Sequence, residues 1–252
     1  EIDLSENIDM HSAAVYAKAA ENLKCFLEDG NLIQENNDCY YIYTLKMNNH
    51  QQTGLACVSA IDDYDDGLIK KHELTRPDKE LDRINHIKAT QAQTGNVFLA
   101  YNSIPLLDAL IEKWKSSYDP VYDFTASDGI DHKVWIVDNP AAIGQITKIF
   151  EDLVPCTYIA DGHHRAASAA GVRKETAAQQ PLPAEAPVNF FLTTLFPANQ
   201  LAIMDYNRLI KDINGHSSKD FLELLKQDFE IHHQGKKPFK PASLHEFGLY
   251  LD

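Results

Sequence analysis

The chain has 252 residues, and its 37 acidic against 23 basic side chains give a formal net charge of −14. This negative charge repels nucleic acids and anionic membrane surfaces at long range, so we expect neither of them as a partner. A hydrophobic content of 44% is enough to bury a sizeable core, which predicts a globular protein.

The cysteines and the ends of the chain bear on its location. The four cysteines are widely spaced and form no CxxC pair, a pattern typical of free thiols in a reducing compartment. No apolar run reaches the roughly 18 residues of a membrane span, and no signal-peptide pattern opens the chain. We therefore expect a cytoplasmic protein. The chain starts at Glu1 and stops on a strand pattern, so we also expect a domain truncated at both ends.

The first half of the chain alternates helical and strand patterns. Apolar residues recur at helical spacing over residues 10–29, and Gly30 supplies a C-terminal stop. The β-rich runs CYYIYTLKM and GLACVSAI, separated by NNHQQT, predict a hairpin. A helix over residues 77–94 follows, with Pro77 in its first turn and Thr75 as its cap. The next run, NVFLAY, predicts a strand.

The second half continues this alternation. Helices are predicted over residues 105–115 and 140–153, with strands at VYDFTA, HKVWIVD and CTYIA. Residues 172–187 are rich in Ala, Gln, Pro and Glu and predict a mobile loop. Further strands are predicted at VNFFLTTLF, LAIMDYNRLI, FEIHH and FGLYL, with a helix at SKDFLELLKQD capped by Ser217 or Ser218. Without repeats or a clean linker, residues 1–252 are interpreted as a single α/β domain with a mixed sheet.

The densest group of polar side chains is DGHHR, between the strand CTYIA and the helix-prone RAASAAG. A strand-to-helix turn leaves N–H groups unpaired at the positive end of the helix dipole, where anions bind. Gly162 allows close approach to a phosphate, and Arg165 can bind two of its oxygens. His163 and His164 add donors. Asp161 is suited to orienting a histidine, binding a hydroxyl or holding magnesium.

Other interpretations of these histidines and acids remain open. DGHHR is also compatible with a solvated turn in which Asp161 caps the helix, or with a zinc site, although no nearby cysteine completes a tetrahedral ligand set. His232 and His233 are interpreted as surface residues. The acidic run DDYDD lacks the ligand spacing of a calcium loop and predicts a solvated loop.

A second group of polar residues lies in KKHELTRPDKELDR. His72 and Glu73 precede the helix at Pro77, and a histidine or a carboxylate in such a place is a candidate general base. Asp82 and Arg83 lie one to two turns along that helix, where they either reach the same pocket or remain solvated. The sequence contains no GxxxxGK[ST], GxGxxG or GxSxG pattern, so P-loop, Rossmann and nucleophile-elbow sites are not supported.

The segment YIADGHHRAASA is similar to the signature of the family called domain of unknown function 1015. The resemblance continues in order through EIDL, YYIYTL, GLACVSAIDDYDDGLIKKHELT, KELDRINHIKATQAQTGNVFLAY and VWIVD, and it covers nearly the whole chain. Two positions depart from the family pattern. Ala166 stands where a tyrosine is common, and Asn207, beside Arg208, stands where a histidine is common.

That family in turn resembles ParB/sulfiredoxin-like proteins, among which free-serine kinases carry a similar DGHHR turn. The resemblance implies a ParB/sulfiredoxin-like core with additional antiparallel strands and flanking helices. It implies transfer of phosphate from ATP or ADP to a hydroxyl acceptor such as free L-serine, assisted by Mg²⁺. The expected partners are therefore a nucleotide and a small-molecule substrate.

The expected site residues follow from the turn chemistry and this resemblance. We expect catalytic roles for His72, Glu73, Asp161 and His164, nucleotide binding by Gly162, His163, Arg165, Arg83 and Arg208, and a metal at Asp161. The alternative is a nucleotide-binding regulatory or interaction module without catalysis. A third option is hydrolysis of a phosphorylated small molecule in the same pocket.

Overall fold

The structure is a computed structural model that describes residues 3–4 and 7–251. The chain forms two compact units, Glu1–Ala202 and Ile203–Asp252, where the sequence predicted one domain. Within the described residues, no helix combines the length and the apolar character needed to cross a lipid bilayer. The four cysteines are free thiols, as predicted.

The first unit contains an eight-stranded sheet and six α-helices among its described residues. The helices are α1 (Ala13–Glu28), α2 (Ile61–Asp65), α3 (Pro77–Thr90), α4 (Pro105–Ser117), α5 (Pro140–Leu153) and α6 (His163–Ala177). The strands are β1 (Tyr40–Met47), β2 (His50–Ala60), β3 (Ile69–Lys70), β4 (Val97–Tyr101), β5 (Tyr122–Thr125), β6 (Asp131–Val137), β7 (Thr157–Asp161) and β8 (Phe190–Pro197).

The sheet has the strand order β3-β7-β4-β8-β2-β1-β6-β5. Strands β1 and β2 form the predicted antiparallel hairpin, in which Tyr43 lies opposite Gly54. Two pairs, β3 with β7 and β4 with β8, are parallel, and the other neighbours are antiparallel. The predicted mixed α/β fold class is confirmed. Strand β7 lies inside the sheet next to β4 and delivers the chain to DGHHR.

The N-termini of α5 and α3 differ in how they are capped. The side chain of Asn139 accepts hydrogen bonds from the N–H groups of Ala141 and Ala142, at 3.0 and 3.2 Å, and so caps α5 as a helix N-terminus requires. Helix α3 differs from the prediction, because its N-cap residue is Arg76 and no side chain caps it. Thr75 instead donates its hydroxyl hydrogen to the carboxylate of Glu80.

Two loop predictions were wrong in part. Helix α6 continues to Ala177, so the loop expected over residues 172–187 is shorter at its N-terminal end. The acidic run DDYDD is not simply a solvated loop, since most of it lies in α2, whose Ile61 and Tyr64 are buried. The charged face of α2 pairs with α6, because Arg173 lies 2.6 Å from the carboxylate of Asp62.

The second unit contains helix α7 (Ser218–Leu225) and no strand in the part that the structure describes. The cap prediction is confirmed, because Ser217 Oγ accepts the N–H of Asp220 at 3.2 Å. The strands predicted at LAIMDYNRLI, FEIHH and FGLYL are absent. Their composition favours extended backbone, but a strand also needs a neighbour to complete its hydrogen bonds. His232 and His233 are exposed, as predicted.

Candidate functional site

Helices α3 and α6 of the first unit lie side by side and run in the same direction. Near their beginnings, Ser168 Oγ donates to the carbonyl oxygen of Glu80 at 3.2 Å. About two turns further along, Lys88 Nζ lies 2.7 Å from the Glu175 carboxylate. Because residue numbers rise together along both helices, their N-termini are neighbours. The positive ends of two helix dipoles therefore lie at the same end of the helix pair.

The turn that leads into α6 depends on Gly162. This residue has φ +102° and is the N-cap of α6, without a capping side chain. A Cβ atom at this position would lie 3.3 Å from the Cα of Val97 and 3.3 Å from Nε of Arg165. Asp161 therefore does not cap the helix, and the turn requires glycine for its backbone conformation and for space.

Arg165 has two hydrogen-bonding partners within the protein. Its guanidinium forms an ion pair with Asp161 and also donates to the carbonyl oxygen of Asn96, in the loop before β4. The Arg165 side chain is 37% exposed and that of Asp161 is 70% exposed. An anion that approaches Arg165 from solvent therefore meets the Asp161 carboxylate beside it.

His163 faces inward and meets the segment between β3 and α3, here named the 71–76 segment. The residue is only 5% exposed, and its Nε2 accepts the backbone N–H of His72 at 3.4 Å. The two imidazole rings are nearly perpendicular, with centroids 4.5 Å apart. Nδ1 of His163 lies 3.7 Å from Oε2 of Glu73. Burial, and secondarily the charge of His72, lower the pKa of His163, and Glu73 opposes this shift.

His164 makes a second contact with the same segment. Its Nε2 accepts the backbone N–H of Arg76 at 3.1 Å. A neutral imidazole that accepts through Nε2 carries its proton on Nδ1, so His163 and His164 share one tautomer. The structure thus brings DGHHR together with His72 and Glu73, although the two groups are about 90 residues apart in the sequence.

Arg83 and Arg208, the remaining predicted residues, have the following surroundings. Arg83 is exposed on α3, where its charge contributes to lowering the pKa of His86. Arg208 belongs to the second unit, is exposed, and stacks on Tyr206 with its guanidinium carbon 4.2 Å from the ring centroid. Asn207 beside it is also exposed, whereas Ala166 is fully buried in α6.

Sequence reasoning missed two contributors to this site. The carbonyl oxygen of Asn96 fixes Arg165, and no sequence pattern points to a backbone acceptor. The backbone N–H of Arg76 holds His164. A signal for it does exist, because Pro77 has no N–H and Arg76 therefore offers the last one before the helix.

A bound metal has limited support among the described residues, which contain no group of three or more His, Cys, Asp or Glu side chains arranged to hold an ion. Magnesium needs only one or two carboxylates when substrate phosphates supply other ligands. Asp161 meets that lower requirement, since its carboxylate is largely exposed.

An open groove of about 570 Å³, lined in part by His11, Tyr16 and Asn85, lies between α1 and α3 rather than at DGHHR.

The fold and this site define a mixed α/β protein in which two histidines connect a strand–glycine–helix turn to the 71–76 segment, which is distant in the sequence. The family model described as "Protein of unknown function (DUF1015)" matches residues 1–252. The chain therefore belongs to this family, as the sequence resemblance predicted. Searches of curated proteins and of solved structures found no match.

Proposed function

We propose that this protein is a small-molecule kinase that transfers a phosphoryl group from ATP or ADP to a hydroxyl acceptor such as free L-serine. One observation carries the proposal: an exposed carboxylate, Glu73, is held beside the N-terminus of α6. Its Oε2 lies 3.7 Å from His163 Nδ1, in the first residue of that helix. A base for the acceptor and an anion-binding helix end are thus neighbours.

The N-terminus of α6 suits the phosphates of the nucleotide. The first intrahelical hydrogen bond runs from the N–H of Ala166 to the carbonyl oxygen of Gly162. The three preceding N–H groups, of His163, His164 and Arg165, have no partner within the helix and lie at its positive end. Gly162 has no side chain to obstruct a phosphate, and the Arg165 guanidinium adds positive charge.

The chemical step follows from this placement. The carboxylate of Glu73 accepts the proton of the acceptor hydroxyl while the acceptor oxygen forms a bond to the terminal phosphorus. The bond between that phosphorus and the bridging oxygen breaks. The leaving group is ADP when ATP is the donor, and AMP when ADP is the donor. The N–H groups of α6 stabilise the charge on the phosphoryl oxygens. His72, whose Nε2 lies 4.0 Å from Oε1 of Glu73, is the second candidate for the base.

Three further points belong to the proposal. Asp161 is the residue that would hold magnesium, and a bound magnesium ion neutralises phosphate charge. The sheet and flanking helices contain a ParB/sulfiredoxin-like core, an assignment that rests on the sequence resemblance. The reaction takes place in the cytoplasm, which the free state of all four cysteines supports.

A nucleotide-binding regulator without catalysis is the second candidate. It is favoured by the internal pairing of the turn, since Arg165 is bound to Asp161 and both histidines accept backbone N–H groups. Such pairing stabilises a binding surface without supplying a reacting group. The two candidates differ in turnover and not in nucleotide binding.

The deciding experiment incubates the purified protein with magnesium and a panel of free amino acids and other small alcohols. ATP or ADP labelled in its terminal phosphate is the donor. Labelled phosphoserine, or another labelled ester, supports the kinase. Nucleotide binding without a labelled product supports the regulator, and absence of both binding and product refutes both functions.

A matched pair of variants tests the role of Glu73. Glu73→Gln should leave the nucleotide Kd within about twofold and lower the turnover rate by about 10²–10⁴-fold, the usual contribution of a general base. The control is Glu28→Gln at the end of α1, since both carboxylate side chains are 62% exposed. It should leave both quantities unchanged. Equal turnover in the two variants would exclude Glu73 as the base.

A further inference from the structure

The attachment of the 71–76 segment to α6 has an unusual chemical basis. Two adjacent imidazoles, of His163 and His164, each accept a backbone N–H from this segment, at 3.4 and 3.1 Å. The segment between β3 and α3 has no helix or strand of its own, and Leu74 at its centre is 98% exposed. Apolar packing at Leu74 therefore does not hold it. The two imidazoles act together with the contact of Lys71 over the ring of Tyr64 and the hydrogen bond from Thr75 to Glu80.

We propose that His163 and His164 are positioning residues, whose neutral imidazoles hold the 71–76 segment beside the N-terminus of α6 and thereby fix the place of Glu73. The role of Glu73 as a base rests on the proposed function, but the attachment itself does not. This assignment replaces the catalytic role expected for His164 and any contact of the His163 side chain with the nucleotide, while the backbone N–H of His163 stays at the end of α6 that faces the phosphates.

The attachment requires both imidazoles to be neutral. Protonation would place a hydrogen on each Nε2, so that two donors would face each other and both hydrogen bonds would be lost. The groups around His163 are His72 and Glu73 of the segment, and Asp161 and His164 of its own turn. Around His164, Arg76 of the segment has its guanidinium paired with Asp78 at 2.7 Å.

The test measures hydrogen exchange of the two bonded amides, those of His72 and Arg76, by NMR on the full chain. His→Phe variants at positions 163 and 164 retain a ring but lack an acceptor. His→Gln variants retain an acceptor oxygen near the place of Nε2 and do not titrate. The amide of Ala142, bonded to Asn139 at the start of α5, reports on the integrity of the fold.

At pH 7.5, each Phe variant should exchange its partner amide about threefold to tenfold faster, the factor that one net hydrogen bond typically contributes. The Gln variants should retain most of the protection. If a Phe variant fails to fold, a His→Leu variant at the same position also removes the acceptor, in a smaller side chain, and should show the same loss of protection.

Turnover supplies an independent readout. The Phe variants should lower kcat while leaving KM for the nucleotide close to its wild-type value, because Glu73 is misplaced but the helix N-terminus is intact. The Gln variants should recover kcat, because they restore an acceptor for the N–H groups of the segment.

Unchanged exchange of both amides in the Phe variants would overturn the positioning proposal, whatever the turnover result. Exchange that changes as expected, in a protein that shows no turnover or nucleotide binding, would refute the proposed function and leave the attachment established. The two proposals therefore fail separately.

Discussion

Substitution of Gly162 by alanine tests the geometry of the DGHHR turn most directly. The residue has φ +102°, and a positive φ costs a residue with a Cβ about 1–2 kcal/mol. The new Cβ would also lie 3.3 Å from the Cα of Val97, which belongs to the central strand β4, and 3.3 Å from Nε of Arg165. Neither neighbour moves freely, since Val97 is held by the sheet and Arg165 by Asp161.

We expect Gly162→Ala to lower the free energy of unfolding by about 2–5 kcal/mol, the sum of the backbone cost and about 1–3 kcal/mol of overpacking. The matched control is Gly129→Ala in the turn between β5 and β6. Gly129 has φ +81°, but nothing lies within 4 Å of its added Cβ. It should lose only the backbone cost of about 1–2 kcal/mol.

The assay is urea unfolding followed by tryptophan fluorescence. Both tryptophans of the chain, Trp114 and Trp135, lie in the first unit, so the signal reports on the unit that contains Gly162. A loss in Gly162→Ala no greater than that in Gly129→Ala would show that contacts with Val97 and Arg165 do not constrain the turn. That result would refute the close-packed geometry on which the site depends.

Three further measurements follow from the structure. Burial lowers the pKa of His163 below its value in the unfolded chain, so as the pH falls the unfolded state binds a proton before the folded state does. The unfolding free energy should therefore fall as the pH drops below about 6.5. His163→Phe should reduce this pH dependence in urea titrations across pH 5–8. Burial raises the pKa of the Cys57 thiol to about 11, so iodoacetamide at pH 8 should modify the exposed Cys25 before Cys57. Equal rates of modification at the two cysteines, measured by mass spectrometry, would contradict this order. The hydroxyls of Thr44 and Thr53 are buried and lie 2.8 Å apart. Thr44→Val should therefore lower the free energy of unfolding by about 1–3 kcal/mol. A double-mutant cycle should show that the double valine variant loses less than the sum of the two single variants.

Features that depend on neighbours in the sequence could be predicted. Helix α5 has its predicted bounds, because Asn139 and Pro140 set its first turn within a few residues. Ser217 caps α7 for the same reason. DGHHR could also be singled out, since a strand pattern, a glycine and a helix pattern follow one another directly and together place the turn at a helix N-terminus.

The partners of those side chains could not be predicted. An imidazole both donates and accepts, so the sequence does not determine whether His164 binds a ligand or a backbone N–H. In the structure, His164 accepts the backbone N–H of Arg76, which lies 88 residues away in the chain. Arg76 reaches His164 because α3 packs in parallel with α6. Arg165 likewise meets the carbonyl oxygen of Asn96, 69 residues away.

The sequence by itself thus determined the helices other than α2, the hairpin, the family and the position of the polar turn, because short-range patterns and turn chemistry specify them. Only the tertiary structure decided that His72 and Glu73 adjoin the turn, and that the C-terminal β-rich runs form no strand. The physical reason is the same in both cases. A strand or a side-chain contact is completed by hydrogen-bonding partners that the fold supplies from distant parts of the chain.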